Sequence, residues 1–327
     1  MRILVLTFGD RSTGSTKFRV VQYESYLQQH GVELEYLRQS DIDLAALGQI
    51  GNIDILYNQK CLLPLRLAKR VSRKASRIIF DFDDAVYTRP GRPYRFLTRH
   101  RVRSRLHYWL RKADAIFPAN QYLADYACRC SEAVSVLPMA LNLADWTPKT
   151  DASAAADTIA LGWAGAPANL KYLEAIDGPL SRILQRYPQA KLRVFSGQRP
   201  SLTCPFDYVP FRDGAEPAFV KSLDIGLLPL ERDEFCRGKS PIKAIQYLSC
   251  EVPVVGRIEG ATREILNPRN SIAIESRKDW EKGLGQLIED TTLRARMGQE
   301  GRRLVLRHHD VTVVRDQLLQ ALGKLAG

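Results

Sequence analysis

The sequence predicts an α/β protein built as two doubly wound parallel sheets with a crevice between them. Three observations carry that prediction. Short runs rich in Val, Ile and Leu recur with helix-length amphipathic segments between them, the alternation that produces βαβ units and parallel sheets. A polar, alanine-rich stretch, KTDASAAAD at residues 149–157, breaks the alternation, which then restarts, as it would around a linker. The length of 327 residues with 45% hydrophobic content exceeds one ordinary core and can fill two.

Taken in order, residues 1–148 form the expected first domain, with strands at RILVLT, VELEYL, IDILYN, RIIFDF, DAIFPA and VSVLP. Helical patterns lie near residues 17–29, 62–75, 94–112 and 121–128. Residues 158–327 form the second, with strands at TIALGWAG, KLRVFS, DIGLLPL, VPVVG and SIAI, and a last helix expected to pack back on the first domain. Ligands of such sheets bind beyond the carboxyl ends of the strands. No GxGxxG follows the first strand of either half, which disfavours a dinucleotide dehydrogenase.

Composition narrows the classes further. The amino terminus has a short apolar run, Ile3 to Leu6, too short for a signal-peptide core, and no stretch reaches the eighteen or so apolar residues of a membrane span. The six cysteines are scattered without zinc spacing, which fits a reducing cytoplasm. The formal charge of +12 is concentrated: residues 85–113 carry nine arginines and lysines and no acid. Such a patch attracts nucleic acid, lipid head groups or a phosphorylated substrate, and charge alone does not choose among them. Without a recognisable nucleic-acid module or aromatic stacking motif, nucleic acid is not an expected partner.

The stretch RDEFCRGKSPIKAIQYLSCEVPVVG, residues 232–256, holds Gly-Lys-Ser at a helix start. A nucleoside-triphosphate P-loop needs a glycine five residues before Gly238, and that position is Asp233, so a Walker site is excluded. Gly238, Lys239, Ser240 and Pro241 still place free amides and a helix dipole where an anion is favoured. Lys243 lies one turn beyond Lys239, and Gln246 three residues further could meet a sugar hydroxyl. A solvated first turn with two lysines is the competing reading.

GKSPIKAIQYLSCEVPVVG resembles the donor-binding signature of retaining glycosyltransferases of family 4, which have the two-Rossmann GT-B fold. LGWAGAPANLKYL resembles the first strand and loop of their donor domain, IIFDFDDAVY their hydrophobic-Asp-x-Asp-Asp segment, and VSVLPMALNLADW their interdomain crossover. The matches are in the right order and span nearly the whole chain. The resemblance implies a hexosyltransferase of the retaining kind, serving polysaccharide biosynthesis, that needs no cofactor and no catalytic metal. Its donor is a nucleotide diphosphate sugar, held by Gly165, Lys171, Gly238, Lys239, Ser240, Lys243 and Gln246. Departures are plain: two glutamates eight residues apart are replaced by Gly238 and Gln246, an arginine by Ala166, and a glycine by Glu251. These departures keep open a degenerate, non-catalytic homologue that binds a partner or a membrane, and the same fold also serves sugar-nucleotide epimerases.

Asp81, Asp83 and Asp84 end a strand and invite a magnesium reading, against which the resemblance points. Asp83 falls where many relatives place a histidine facing the sugar, so Asp83 and Lys243 are the catalytic candidates; a structural aspartate capping the next turn is the alternative for Asp83. The loop from Gly9 to Arg19, with Gly14, Lys17 and Arg19, is in the resemblance the acceptor side, where a glycan or lipid-linked acceptor enters. In YRFLTRHRVRSRLHYWLRK the apolar residues recur at three to four. Arg95, Arg99, Arg103 and Trp109 there make a candidate patch for anionic lipid or an acidic partner. The expected location is therefore cytoplasmic, with peripheral attachment to the inner face of the membrane.

Overall fold

The computed structural model describes residues 1–91, 93–149 and 158–326. The expected linker, residues 149–157, lies outside them apart from Lys149. Two compact units emerge, and the division is not a single cut. Unit 1 comprises Met1–Ala140, Asp233–Ser240 and Val311–Gly327; unit 2 comprises Leu141–Arg232 and Pro241–Asp310.

Unit 1 carries β1 (Arg2–Thr7), β2 (Glu33–Arg38), β3 (Ile53–Gln59), β4 (Ala75–Phe82) and β5 (Ala115–Pro118), all parallel, in the order β2-β1-β3-β4-β5. The run VSVLP, expected as a sixth strand, contributes only a bridge from Val134 to Ile116. Its Ser135 and Leu137 amides still donate to Ile116 and Pro118 of β5, but Pro138 offers no donor to extend the ladder. The central strands read as near-continuous apolar runs because both faces are covered. One face packs Phe80, Phe82, Leu106 and Trp109; the other packs Ile3, Val5 and Ile79 against Val314, Leu318 and Leu322 of the final helix, Val311–Ala326.

Unit 2 carries β6 (Ile159–Ala164), β7 (Ala190–Ser196), β8 (Asp207–Pro210), β9 (Ile225–Leu228), β10 (Val254–Gly256) and β11 (Ser271–Ala273), again all parallel. Their order, β11-β10-β9-β6-β7-β8, is the doubly wound 3-2-1-4-5-6 arrangement, with its strand-order reversal between β6 and β9. In unit 1 the reversal falls between β1 and β3, the 2-1-3-4-5 variant of the same rule. Each unit thus has one carboxyl-edge position at which a ligand is expected.

Candidate functional site

At the carboxyl edge of unit 1 the charges are paired with one another. Arg19, fully buried, sets its Nε and Nη2 on both oxygens of Asp81 at 2.5–3.1 Å, and donates to the carbonyls of Leu137 and Phe117. Tyr57 adds a hydrogen bond to Asp81 at 2.8 Å. Burial pushes the Asp81 carboxyl upward, and the Arg19 guanidinium with the Tyr57 hydroxyl opposes it. Arg19 is therefore an interior ion-pair residue, correcting its expected place on an acceptor-facing surface.

Beside this pair lies a lysine that sequence reading missed. Lys60 follows β3 in the left-handed region, φ 48°, and is only 7% exposed. Its ammonium reaches Ser15 Oγ at 2.7 Å, Asp84 Oδ2 at 2.7 Å and Asp83 Oδ1 at 2.8 Å. Ser15 in turn donates to Asp83 Oδ2 at 2.6 Å. Burial would raise the Asp83 carboxyl, but the Lys60 charge and the hydrogen bonds from Lys60 and Ser15 outweigh it and hold it below the ordinary carboxylate value. Burial would likewise lower Lys60, and Asp83 and Asp84 together raise it above the ordinary lysine value. The cationic partners of the three aspartates are thus protein side chains, Arg19 for Asp81 and Lys60 for Asp83 and Asp84. Asp83 does not cap the following turn; it clamps the helix Gly14–Arg19 to the end of β4.

The loop before that helix is closed on itself. Asp10 accepts from the amides of Ser12 and Thr13 at 3.0 and 2.9 Å and from both hydroxyls, an Asx turn that uses the amides a phosphate would need. Gly14 and Lys17 are exposed.

The segment Asp233–Ser240 is seated on unit 1. Gly238 is buried, and a Cβ there would stand 2.8 Å from Ala85 Cβ and 3.0 Å from Leu123 Cδ2. Close packing accounts for this glycine. Its carbonyl accepts from Asn120 at 3.3 Å, Ser240 N donates to the Asp83 carbonyl at 3.1 Å, and Asp233 receives the Gly91 amide at 3.0 Å. Lys239 lies over the Phe235 ring at 5.3 Å. Ser240 Oγ is buried without a hydrogen-bond partner.

In unit 2 the other half of the motif sits on the helix Ile242–Ser249. Gly226 lets this helix lie on β9, since a Cβ there would stand 2.6 Å from the Tyr247 ring. Tyr247 hydroxyl accepts from Ala164 N, the last residue of β6, at 3.0 Å, which puts Lys243 and Gln246 at the carboxyl edge beside the β6/β9 reversal. Both meet Glu216, another residue the sequence did not announce: its Oε1 pairs with Lys243 Nζ, and its Oε2 accepts from Gln246 Nε2 at 2.8 Å. Gln246 is buried and its Oε1 has no hydrogen-bond partner. Gly165 continues the β6/β7 ladder by donating to Phe195 O at 3.1 Å. Lys171 is exposed, 4.9 Å above the Tyr172 ring.

The basic segment divides by burial. Trp109 is fully buried, stacked on Phe80 at 6.4 Å; it belongs to the core and not to a surface patch, because it lies on the apolar stripe of the helix Phe96–Lys112. Arg95 and Arg99 are exposed and Arg103 half-buried. Phe96 and Leu97, 83% and 80% exposed, stand out from the first turn of that helix. Beside it lies the helix Leu65–Ser72, joined through Arg105 to Leu62 O at 3.2 Å and Tyr108 to Ser72 at 3.1 Å, and carrying exposed Arg66, Lys69 and Arg70. Among the described residues no helix is long and apolar enough to cross a membrane.

Comparison with known proteins agrees with this architecture. A Glycosyl transferase-like family model matches residues 182–320, while no curated protein matches the sequence. Among solved structures, sucrose-phosphate synthase from Thermosynechococcus elongatus aligns over 99% of this chain and 98% of its own, at 15% identity and TM-score 0.80. Anabaena HepE in complex with UDP and glucose aligns over 99% and 100%, at 14% identity and TM-score 0.76. An α-glucosyltransferase in complex with UDP and a DNA 13-mer aligns over 98% of both chains, at 11% identity and TM-score 0.64. The two parallel-sheet α/β domains are those of the GT-B glycosyltransferase fold.

Proposed function

We propose that the chain is a glycosyltransferase that moves a hexose from a nucleoside diphosphate sugar to an acceptor hydroxyl, with retention and without a catalytic metal. The observation that carries this reading is the family match over residues 182–320, which includes the cluster of Glu216, Lys243 and Gln246 at the strand-order reversal of unit 2. UDP is the first nucleotide to test, since HepE and the α-glucosyltransferase were solved with it. Lys243 and Lys171 neutralise the diphosphate. As the glycosidic bond stretches the leaving diphosphate gains charge, so a fixed ammonium binds the transition state more tightly than the ground state. Unit 1 serves the acceptor, a glycan or lipid-linked hydroxyl, with Asp83 and Lys60 fixing the loop after β1. Hydrolysis of radiolabelled nucleotide sugars without acceptor tests the reading, because most transferases leak slowly to water. Absence of turnover and of binding with every donor would overturn it. Turnover should persist in EDTA, and loss restored by magnesium or manganese would revive the metal reading of Asp81, Asp83 and Asp84.

A second property is favoured by Phe96 and Leu97. Two apolar side chains standing out beside Arg95, Arg99 and the basic helix Leu65–Ser72 form the surface that inserts at an anionic membrane face, placing the enzyme on the cytoplasmic leaflet. Vesicles with anionic lipid should bind the chain, and Phe96→Ser with Leu97→Ser should release it; equal partitioning onto neutral vesicles would remove the proposal.

A further inference from the structure

We infer that Arg99, Arg103, His107 and Arg111, together with Tyr126 and Arg129, form a binding site for a phosphate or diphosphate group on unit 1, separate from the donor site proposed above. It needs neither the donor reading nor insertion of Phe96 and Leu97. The first observation is spacing. Arg95, Arg99, Arg103, His107 and Arg111 follow one another at steps of four residues, and all but Arg95 lie within the helix Phe96–Lys112. Positions four apart are neighbours on one ridge, about 6 Å apart along the axis. Like charges so placed repel and weaken the helix, and residues 85–113 contain no acid to relieve them. An anion laid against the ridge would relieve them together.

Arg103 supplies the second observation. The ridge is exposed at Arg99 and Arg111 and half-buried at Arg103 and His107, and Arg103 Nε is buried without a hydrogen-bond partner. A buried charged donor without an acceptor is costly and calls for one. The helix Gln121–Ala127 closes this side. His107 Nε2 lies 3.3 Å from the Tyr126 hydroxyl, the Tyr126 and Tyr87 rings stack at 3.9 Å, and Arg129 lies over the Tyr126 ring at 5.9 Å. Burial, then the Arg111 and Arg103 charges, hold His107 below the ordinary imidazole value. Burial raises the Tyr126 hydroxyl, Cys130 and Glu234 add to the rise, and Arg103 and Arg129 oppose it. Of the acids on this side, Asp125 is already taken by Gln121 at 2.7 Å, and Glu234 alone leaves the arginines in excess. A multiply charged anion fits that balance, and guanidinium forks match phosphate oxygens in geometry. Tyr126 and a protonated His107 supply further donors.

The His107 titration, followed by NMR on the full chain with and without inorganic pyrophosphate, tests the site. An anion on the ridge offsets Arg103 and Arg111, so pyrophosphate should raise the His107 midpoint by about one pH unit. Arg103→Gln should lose that response while melting and binding UDP like the parent, and Arg129→Gln, at an exposed position, should weaken it. Lys243→Ala, altered only at the donor site, should keep it. Vesicles of matched surface charge then identify the source of the phosphate. A parent that prefers phosphatidic acid to phosphatidylserine, with the preference absent in Arg103→Gln, assigns the site to a lipid phosphomonoester; a pyrophosphate response with no such preference assigns it to a soluble phosphate compound. A parent whose His107 ignores pyrophosphate overturns the inference, as does a response that survives Arg103→Gln. A response lost in Lys243→Ala also overturns it, because the anion would then sit at the donor site.

Discussion

The two units share a plan and differ in what occupies the carboxyl edge of their sheets. In unit 1 the edge is filled by charges that satisfy one another: Arg19 on Asp81, Lys60 on Asp83 and Asp84, Ser15 on Asp83. In unit 2 the corresponding group is more open, with the Lys243 side chain 27% exposed, and is incomplete, since Gln246 Oε1 has no donor. Buried charges paired with one another specify one geometry, whereas a more open group with an unpaired acceptor leaves room for a ligand. On the proposed function the contrast gives rigidity to one edge and donor binding to the other, and each side of it can be broken by substitution.

The largest effect is expected at Arg19. Arg19→Met removes one partner of a buried ion pair and leaves the Asp81 carboxyl without its cation in the core of unit 1, which costs about 3–5 kcal/mol. Urea titration measures it as a drop in unfolding free energy. UDP binding by the remaining folded protein should match the parent, and a tenfold loss of UDP affinity would deny that the two edges have separate tasks.

Next is Lys243. With its charge gone from unit 2, Lys243→Ala should lower turnover by about a hundred- to a thousandfold, the scale of removing one electrostatic donor, while weak donor binding persists. Lys239→Ala should cost less, because Lys239 rests over the Phe235 ring in the segment seated on unit 1. Equal kinetics for Lys243→Ala and the parent would place the diphosphate elsewhere.

Asp83→Asn gives an intermediate effect with a definite pH dependence. Losing a buried charged acceptor should cost about 1–3 kcal/mol at neutral pH. Because the Asp83 carboxyl is held below its ordinary value, its contribution is present above the unfolded value near 4 and is lost as pH falls through the lower folded value. Lys60 is shifted upward, so its contribution is present below the unfolded lysine value of about 10.4 and is lost only as pH rises through the folded one. The stability gap between parent and Asp83→Asn should be flat from about pH 5 to 9 and close below about pH 4. A gap that does not begin to narrow as pH falls below about 4 would mean that packing, not charge, is what Asp83 contributes.

These predictions turn on residues of unequal legibility. The buried strands were readable because runs such as RILVLT and RIIFDF leave little alternative to a two-faced core. β8 was not, since DYVP is a four-residue edge strand with half its side chains exposed and no apolar run to mark it. Lys243 and Gln246 were found from local spacing on one helix. Lys60 and Glu216 were invisible because their partners lie up to 45 and 30 residues away, and nothing local distinguishes them from surface charges. Trp109 misled for the opposite reason: arginines surround it in sequence, while the helix turns it inward. Gly238 looked like backbone freedom for an anion, and its cause is a contact with Ala85 from a segment far away in the chain.

The smallest effect separates the units by sign. Among the described residues each has one non-glycine residue in the left-handed region, Lys60 at φ 48° in unit 1 and Glu251 at φ 59° in unit 2. Glu251 ends the helix Ile242–Ser249: its amide donates to Leu248 O at 3.1 Å and the next amide, Val252, to Tyr247 O at 3.0 Å. That pair of bonds is the Schellman arrangement, whose left-handed position ordinarily belongs to glycine. Gly298 of the neighbouring helix packs directly against the Glu251 carbonyl, so the backbone there is fixed from outside and cannot relax. Left-handed geometry costs an L-residue about 1–2 kcal/mol, and glycine loses about 0.5–1 kcal/mol of that advantage to unfolded-chain entropy. Glu251→Gly should therefore stabilise by about 0.5–1 kcal/mol, a melting-temperature rise of about 1–4 °C, with no change in UDP affinity. Lys60→Gly relieves the same kind of strain but removes the ammonium from Ser15, Asp83 and Asp84, leaving the buried Asp83 without its cation, and the net must be destabilising. Two glycine substitutions that shift the melting temperature in the same direction would mean that Lys60 is held by its backbone alone, and that the charges at the edge of unit 1 contribute nothing to it.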